Sequence, residues 1–248
     1  MLLHIPHSQK YIPDEYLQYF HLSDSDLDIV LLKMTDHFTD ELFECSQSNC
    51  SEIIFPVSRL LVDPERFVMD ADEPMSARGM GCIYEKTHDQ NPLKDCRAIR
   101  QLLIDRYYET HHNQFTDLVN HELKQVGHSL IIDCHSFPKY PLLYEMDQKS
   151  DRAEICIGTD DFHTPHNLAV VIKEGFKKAG FSTALNKPFA GAIVPIEHYR
   201  KNKAVTSIMI EIRRDLYMDE VTGRKIENFA VVKNAINEVL QELVEQDG

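Results

Sequence analysis

IIDCHSF, residues 131–137, runs from apolar residues into an acid, a thiol and an imidazole, and Pro138 follows it. The β-branched start reads as a buried strand, and Asp133, Cys134 and His135 fall at its end. Ligands of α/β proteins bind outside the carboxyl ends of strands, so His135 marks a place to look for chemistry. Further apolar runs predict strands at Leu2 to Ile5, Ile53 to Val57, Glu154 to Ile157, Phe181 to Leu185 and Val205 to Ile212. Between them, apolar residues at three and four spacing predict helices over Ser25 to Cys45, Leu93 to Val126, His166 to Ala179 and Glu227 to Glu245. The second should break near His111 to Gln114.

Strands alternating with helices define an α/β protein with three αβα layers and a mainly parallel sheet. Nothing marks a boundary, so residues 1–248 are expected to form a single domain. The segment from Pro64 to Pro92 lacks a clean period and reads as a functional loop or lid.

The 26 basic and 40 acidic residues give a formal charge of −14, which disfavours nucleic acid and anionic membrane as partners. An anionic substrate would need local arginines. There is no apolar run of membrane-spanning length, and the start MLLHIPHSQK lacks the pattern of a signal peptide, so a soluble, cytoplasmic protein is expected. The six cysteines form no C-x-x-C pair and are expected to be reduced. Cys134 reads as a small core residue.

His7 follows the first strand as His135 follows a central one, predicted at Leu130 to Asp133, and two imidazoles at strand ends can share a metal. With 13 histidines in the chain, chance placement is the competing view. Asp36, in an otherwise apolar register, would complete a three-ligand catalytic zinc set, leaving a position for water. Asp40, four residues on and on the same predicted helix face, suits a solvated role better, and His37 a structural one. Glu211 lies within the apolar strand IMIEI, where burial raises a carboxyl towards the range useful to a general base; the alternative is an edge-strand glutamate facing solvent. Arg59 and Arg66 flank Asp63, and Arg213 and Arg214 follow Glu211. Their guanidinium groups could bind a substrate carboxylate or simply pair with acids. His111 and His112 are expected to reach solvent. No G-x-S-x-G, P-loop or G-x-G-x-x-G is present.

IPHS (5–8), TDHFTDELF (35–43), VSRLLVDPERF (57–67), IIDCHSFP (131–138), NKPFAGAIVP (186–195) and IMIEIRRDLYMDE (208–220) together resemble the N-formylglutamate amidohydrolase (N-formylglutamate deformylase) family. The resemblance implies a phosphorylase/hydrolase-like fold, a mixed sheet between helices as in zinc carboxypeptidases. It also implies a hydrolase with one zinc ion, acting on N-formyl-L-glutamate, a small acidic N-acyl amino acid, to give formate and L-glutamate at the end of a histidine-degradation route. Carried onto this chain, it assigns His7, Asp36 and His135 to the metal and Glu211 to the base. Arg59, Arg66 and Arg213 become candidates for the substrate carboxylates. Gln9 stands where relatives have glycine, and PFAGA departs from their pattern, which touches specificity more than the metal. A zinc amidase for another N-acyl amino acid or short peptide, and a non-catalytic metal- or amino-acid-binding protein, are the other readings. The oligomeric state is not legible.

Overall fold

The apolar runs build strands β1 (Leu2–Ile5), β2 (Ser51–Ile54), β3 (Ser129–Phe137), β4 (Ile155–Gly158), β5 (Thr183–Leu185) and β6 (Val205–Arg213). The computed structural model describes residues 1–44 and 50–247. In it these strands form one sheet of order β2-β1-β3-β6-β4-β5. β2, β1, β3 and β6 are parallel, β4 runs antiparallel to β6, and β5 is parallel to β4. The sheet is therefore mixed, mainly parallel, as expected.

The helices are α1 (Asp14–Leu17), α2 (Asp24–Met34), α3 (Thr39–Leu42), α4 (Arg100–Leu103), α5 (Thr110–Val126), α6 (His166–Lys178) and α7 (Phe229–Asp247). Period two along the strands sorts their side chains onto two faces. Leu3, Ile5, Ile132, Cys134, Ile208 and Ile210 pack with α6 and α7, whereas Leu2, Ile131 and Val205 meet Phe115 and Val119 of α5. Helices thus cover both faces and give three layers. Each fully buried leucine or isoleucine contributes about 1.5–3 kcal/mol relative to exposure. Gly175 lets α6 and α7 approach closely, since a Cβ there would lie 2.9 Å from Val239 Cγ2. No helix among the described residues is long and apolar enough to cross a membrane.

Several local expectations change. The helix predicted from Ser25 to Cys45 starts with Ser23 capping the Asp26 amide but ends at Met34, where Thr35 turns extended. A short α3 follows Phe38, whose φ of 64° breaks helical register. Asp36 and Asp40 therefore do not share a helix face; Asp36 sits in the break, and Cys45 lies outside the described residues. The second long helix does not break at His111. It contains a π-helical turn at Ile104–Glu109 and continues without interruption through α5. Cys82, Cys96, Cys134 and Cys156 are free and buried, but Cys50 is disulfide-bonded, which corrects the expectation of six reduced thiols. The irregular segment after β2 is not an open excursion. Val57, Leu60, Leu61, Met80, Cys82 and Tyr84 form a second apolar cluster with α1 and α2.

Candidate metal centre and active site

Parallel pairing aligns the carboxyl ends of β1, β3 and β6, and register does the rest. His4 lies opposite Asp133, and His135 lies opposite Glu211. Period two places Asp133 and His135 on one face of β3, so the acid and imidazole of IIDCHSF point to the same crevice. His7 enters from the loop after β1 and Asp36 from the break between α2 and α3, their backbones tied by a bond from the Asp36 amide to the His7 carbonyl (3.0 Å).

The three residues predicted as metal ligands converge. Nδ1 of His7 lies 3.3 Å from Nδ1 of His135, which lies 3.2 Å from Oδ2 of Asp36, and His7 Nδ1 to that oxygen is 3.7 Å. Donors about 2.0–2.2 Å from a tetrahedral zinc ion stand roughly 3.3–3.6 Å apart, so the triangle has the right size. The outward nitrogens are engaged as metal-binding imidazoles require. His7 Nε2 donates to Asp63 Oδ1 (2.9 Å), and His135 Nε2 faces Asp133 Oδ1 and Glu65 Oε2, each at 3.1 Å. His7, Glu65 and His135 also bring one donor each within 4.8 Å of one another, as do His4, Glu65 and Asp133. In the first, Glu65 Oε2 lies 3.1 Å from His135 Nε2 and 3.9 Å from His7 Nδ1; in the second, His4 Nδ1 already faces Asp133 Oδ1 at 2.9 Å. The spacing of His7, Asp36 and His135 suits a small divalent cation, as does that of the two groups that include Glu65.

Charge supports that fit. The carboxylates of Asp36, Asp63, Glu65 and Asp133 outnumber the neighbouring guanidinium groups of Arg59, Arg66 and Arg214. Burial opposes ionisation of His135, yet the charges of Glu65 and Asp133 hold it well above the ordinary histidine range. The crevice calls for positive charge at that point.

Glu211 is 7% exposed, and its Oε2 has no hydrogen-bond partner. Burial pushes its carboxyl up to about 8, with His135 pulling the other way. Burial would raise Asp36 as well, but hydrogen bonds from His135 and His7 and the charge of Arg59 hold it well below the carboxylate range.

The arginines differ in what they still offer. Arg59 donates through Nε to Tyr84 (3.1 Å) and through Nη2 to Asp63 (3.0 Å), and Tyr84 donates to the same carboxylate. Arg213 is held by Asp215 (2.7 Å) and the Arg152 carbonyl (2.6 Å); none of its bonds reaches the cluster. Arg214 does reach it, donating to Asp36 Oδ1 (3.1 Å) and the Lys33 carbonyl (2.7 Å). Arg66, with a side chain 26% exposed, lies 3.7 Å from Asp63, and its Nε has no hydrogen-bond partner. Its Nη1 also lies 3.9 Å from Glu73, and its side chain is the most exposed of the four.

Sequence reasoning missed Asp63 as a partner of His7, Glu65 beside His135, and the string from Asp133 through His4 to His111. His111 is 2% exposed and packs on His4, and His112 donates to the Pro64 carbonyl (2.7 Å), so neither points freely to solvent. Strand alternation was a usable signal for His4 and Asp133; nothing in the helical pattern marked His111.

A mixed three-layer sheet with buried imidazoles and carboxylates at its carboxyl edge defines an α/β protein with side-chain groups that could hold a metal ion. The sequence profile of the N-formylglutamate amidohydrolase family matches residues 1–218, and the chain belongs to that family. Its fold is similar to that of a solved N-formylglutamate amidohydrolase from Ralstonia eutropha JMP134, with a TM-score of 0.85 at 23% identity over 99% of this chain and 92% of that one. A solved gene product of Agrobacterium tumefaciens is similar at a TM-score of 0.62 and 18% identity over 98% and 91% of the two chains. Comparison with curated proteins gives no match.

Proposed function

We propose that the chain is a zinc-dependent amidohydrolase that cleaves N-formyl-L-glutamate into formate and L-glutamate. The observation that carries this reading is the donor triangle of His7, His135 and Asp36 beside a buried carboxyl with an unpartnered oxygen. Family membership supplies the substrate class.

Zinc held by His7, Asp36 and His135 supplies Lewis acidity towards the formyl carbonyl and lowers the pKa of a water towards neutrality. Glu211, opposite His135 in the sheet, takes the proton of the attacking water and returns it to the departing amine nitrogen. Arg66, the most exposed of these guanidinium groups, binds a carboxylate of the glutamyl portion. Arg59 and Arg214 hold Asp63 and Asp36 in place. The reading includes a cytoplasmic setting and a place at the end of histidine degradation.

Formate release from N-formyl-L-glutamate, zinc-loaded against chelator-treated, tests it. Release that disappears with the chelator and returns with zinc is expected, with N-acetyl-L-glutamate and dipeptides turned over poorly. Preference for one of those analogues would move the reading to another amidase, and zinc binding without any turnover would leave a binding protein.

A further inference from the structure

We propose that Asp133 is a positioning residue: its carboxylate, anchored by His4 and His111, fixes the ring and tautomer of His135 so that Nδ1 faces the metal. The inference rests on His135 being a metal ligand. His111, His4, Asp133 and His135 are all nearly inaccessible, at 2%, 0%, 2% and 3% exposure. Water is therefore no substitute for their bonds. Oδ1 of Asp133 accepts from both sides, from His4 Nδ1 at 2.9 Å and from His135 Nε2 at 3.1 Å. His4 Nε2 lies 3.0 Å from His111 Nε2.

A neutral imidazole carries one N–H, and a carboxylate only accepts. Asp133 therefore places the proton of His4 on Nδ1 and that of His135 on Nε2. His4 Nε2 is left as an acceptor, which makes His111 the donor in their contact. In the neutral, metal-loaded ring, Nδ1 of His135 is left with its lone pair on the side of His7 Nδ1 and Asp36, where without a metal it donates to Asp36. Rotation of His4 is blocked by its stack on Phe115, with centroids 4.8 Å apart, while the ring of Phe55 stands edge-on to His111 at 5.1 Å. The order of protons is thus set from α5 across β1 to β3, and it ends at the metal-facing nitrogen.

Glu65 is the rival anchor, since its Oε2 is also 3.1 Å from His135 Nε2. It comes from the irregular segment, and its side chain is 17% exposed, whereas Asp133 is fixed in a central strand and bonded on both sides. A carboxylate behind a metal-binding histidine is typically worth roughly 10–100-fold in metal affinity.

The experiment pairs zinc affinity, by competition with a chromophoric chelator, with the imidazole nitrogen NMR shifts of the zinc-loaded chain. Wild type should show His135 protonated on Nε2 and ligated through Nδ1, and His4 protonated on Nδ1. Asp133→Ala should lose roughly 10–100-fold in zinc affinity and the single His135 tautomer. His4→Phe, which preserves the stack on Phe115, should lose part of that affinity and serves if Asp133→Ala does not fold. Wild-type zinc affinity in Asp133→Ala, or in both variants, would overturn the proposal while leaving the metal site standing. Ligation of wild type through Nε2 of His135 would overturn it directly. A wild-type chain that binds no zinc would remove the metal reading and this inference together.

Discussion

Asp36 and Glu211 are buried to nearly the same degree, at 1% and 7% exposure, and both neighbour His135, one through its Nδ1 and the other across the sheet. Their chemistry is opposite. Asp36 lies in a helix break where the Ser136 amide (3.2 Å) and Arg214 (3.1 Å) donate to it and Arg59 approaches to 3.6 Å. It is held ionised. Glu211 is set into a central strand among isoleucines, and one of its oxygens has no partner at all. It is held towards its protonated form at neutral pH. Burial alone therefore does not decide what a carboxyl does; the donors the backbone brings to it do. The caged acid suits a ligand, and the uncaged one suits a proton carrier.

The largest expected effect separates those roles on rate. Glu211→Gln should lower kcat by about 10²–10⁴-fold while zinc content per chain stays at the wild-type value. Turnover near wild type would end the base assignment and the comparison with it. Asp36→Ala should act on binding and stability instead. Zinc affinity should fall by more than the roughly 10–100-fold that losing an outer partner costs. Arg214 and Arg59 would be left without that carboxylate, costing about 3–5 kcal/mol in urea unfolding.

Acidity sharpens the contrast because the two groups should drive stability in opposite directions. In chelated protein, Glu211 moves from an ordinary 4.5 to about 8 on folding. Between those values the native chain keeps a proton that the unfolded chain has released, so its contribution falls as pH rises through the window. Glu211→Gln removes that loss. The stability of the variant relative to wild type should climb from about pH 4.5 to about pH 8, by on the order of a few kcal/mol. Asp36 has a lowered native value, so its contribution is full above the ordinary carboxylate range and fades as pH falls below it. The cost of Asp36→Ala should shrink in acid. Parallel pH profiles for the two variants would contradict the assignment of opposite environments.

The sheet was legible because β-branched runs and strand alternation are local signals; they put His135 at the end of one strand and Glu211 within another, and only the register of the sheet brings the two side by side. His7 and Asp36 were found through residue type and resemblance, and the helix proposed to present Asp36 does not exist there: Thr35 and Phe38 take non-helical backbone. What stayed hidden was pairing at long range. Whether Arg213 or Arg214 turns inward depends on strand phase and on Asp215 competing for Arg213. That His111 packs on His4 depends on how a helix docks across the sheet, 107 residues away in sequence.

Asp40 supplies the smallest and most selective test, because it is Asp36's near neighbour in sequence but not in environment. It lies in α3, half-buried, and accepts a bond from Gln9 Nε2 at 3.2 Å. Burial raises its carboxyl, and no arginine offsets that among its hydrogen bonds and ion pairs in the described residues. An asparagine keeps the oxygen that Gln9 needs and gives up only a charge that the site does not use. Asp40→Asn should therefore leave zinc content and turnover at wild-type values and change stability by no more than about 0.5 kcal/mol. Loss of zinc in this variant would mean that the acidic segment from residue 36 to residue 40 binds as a unit. The cage around Asp36 would then no longer be what distinguishes a ligand from a bystander.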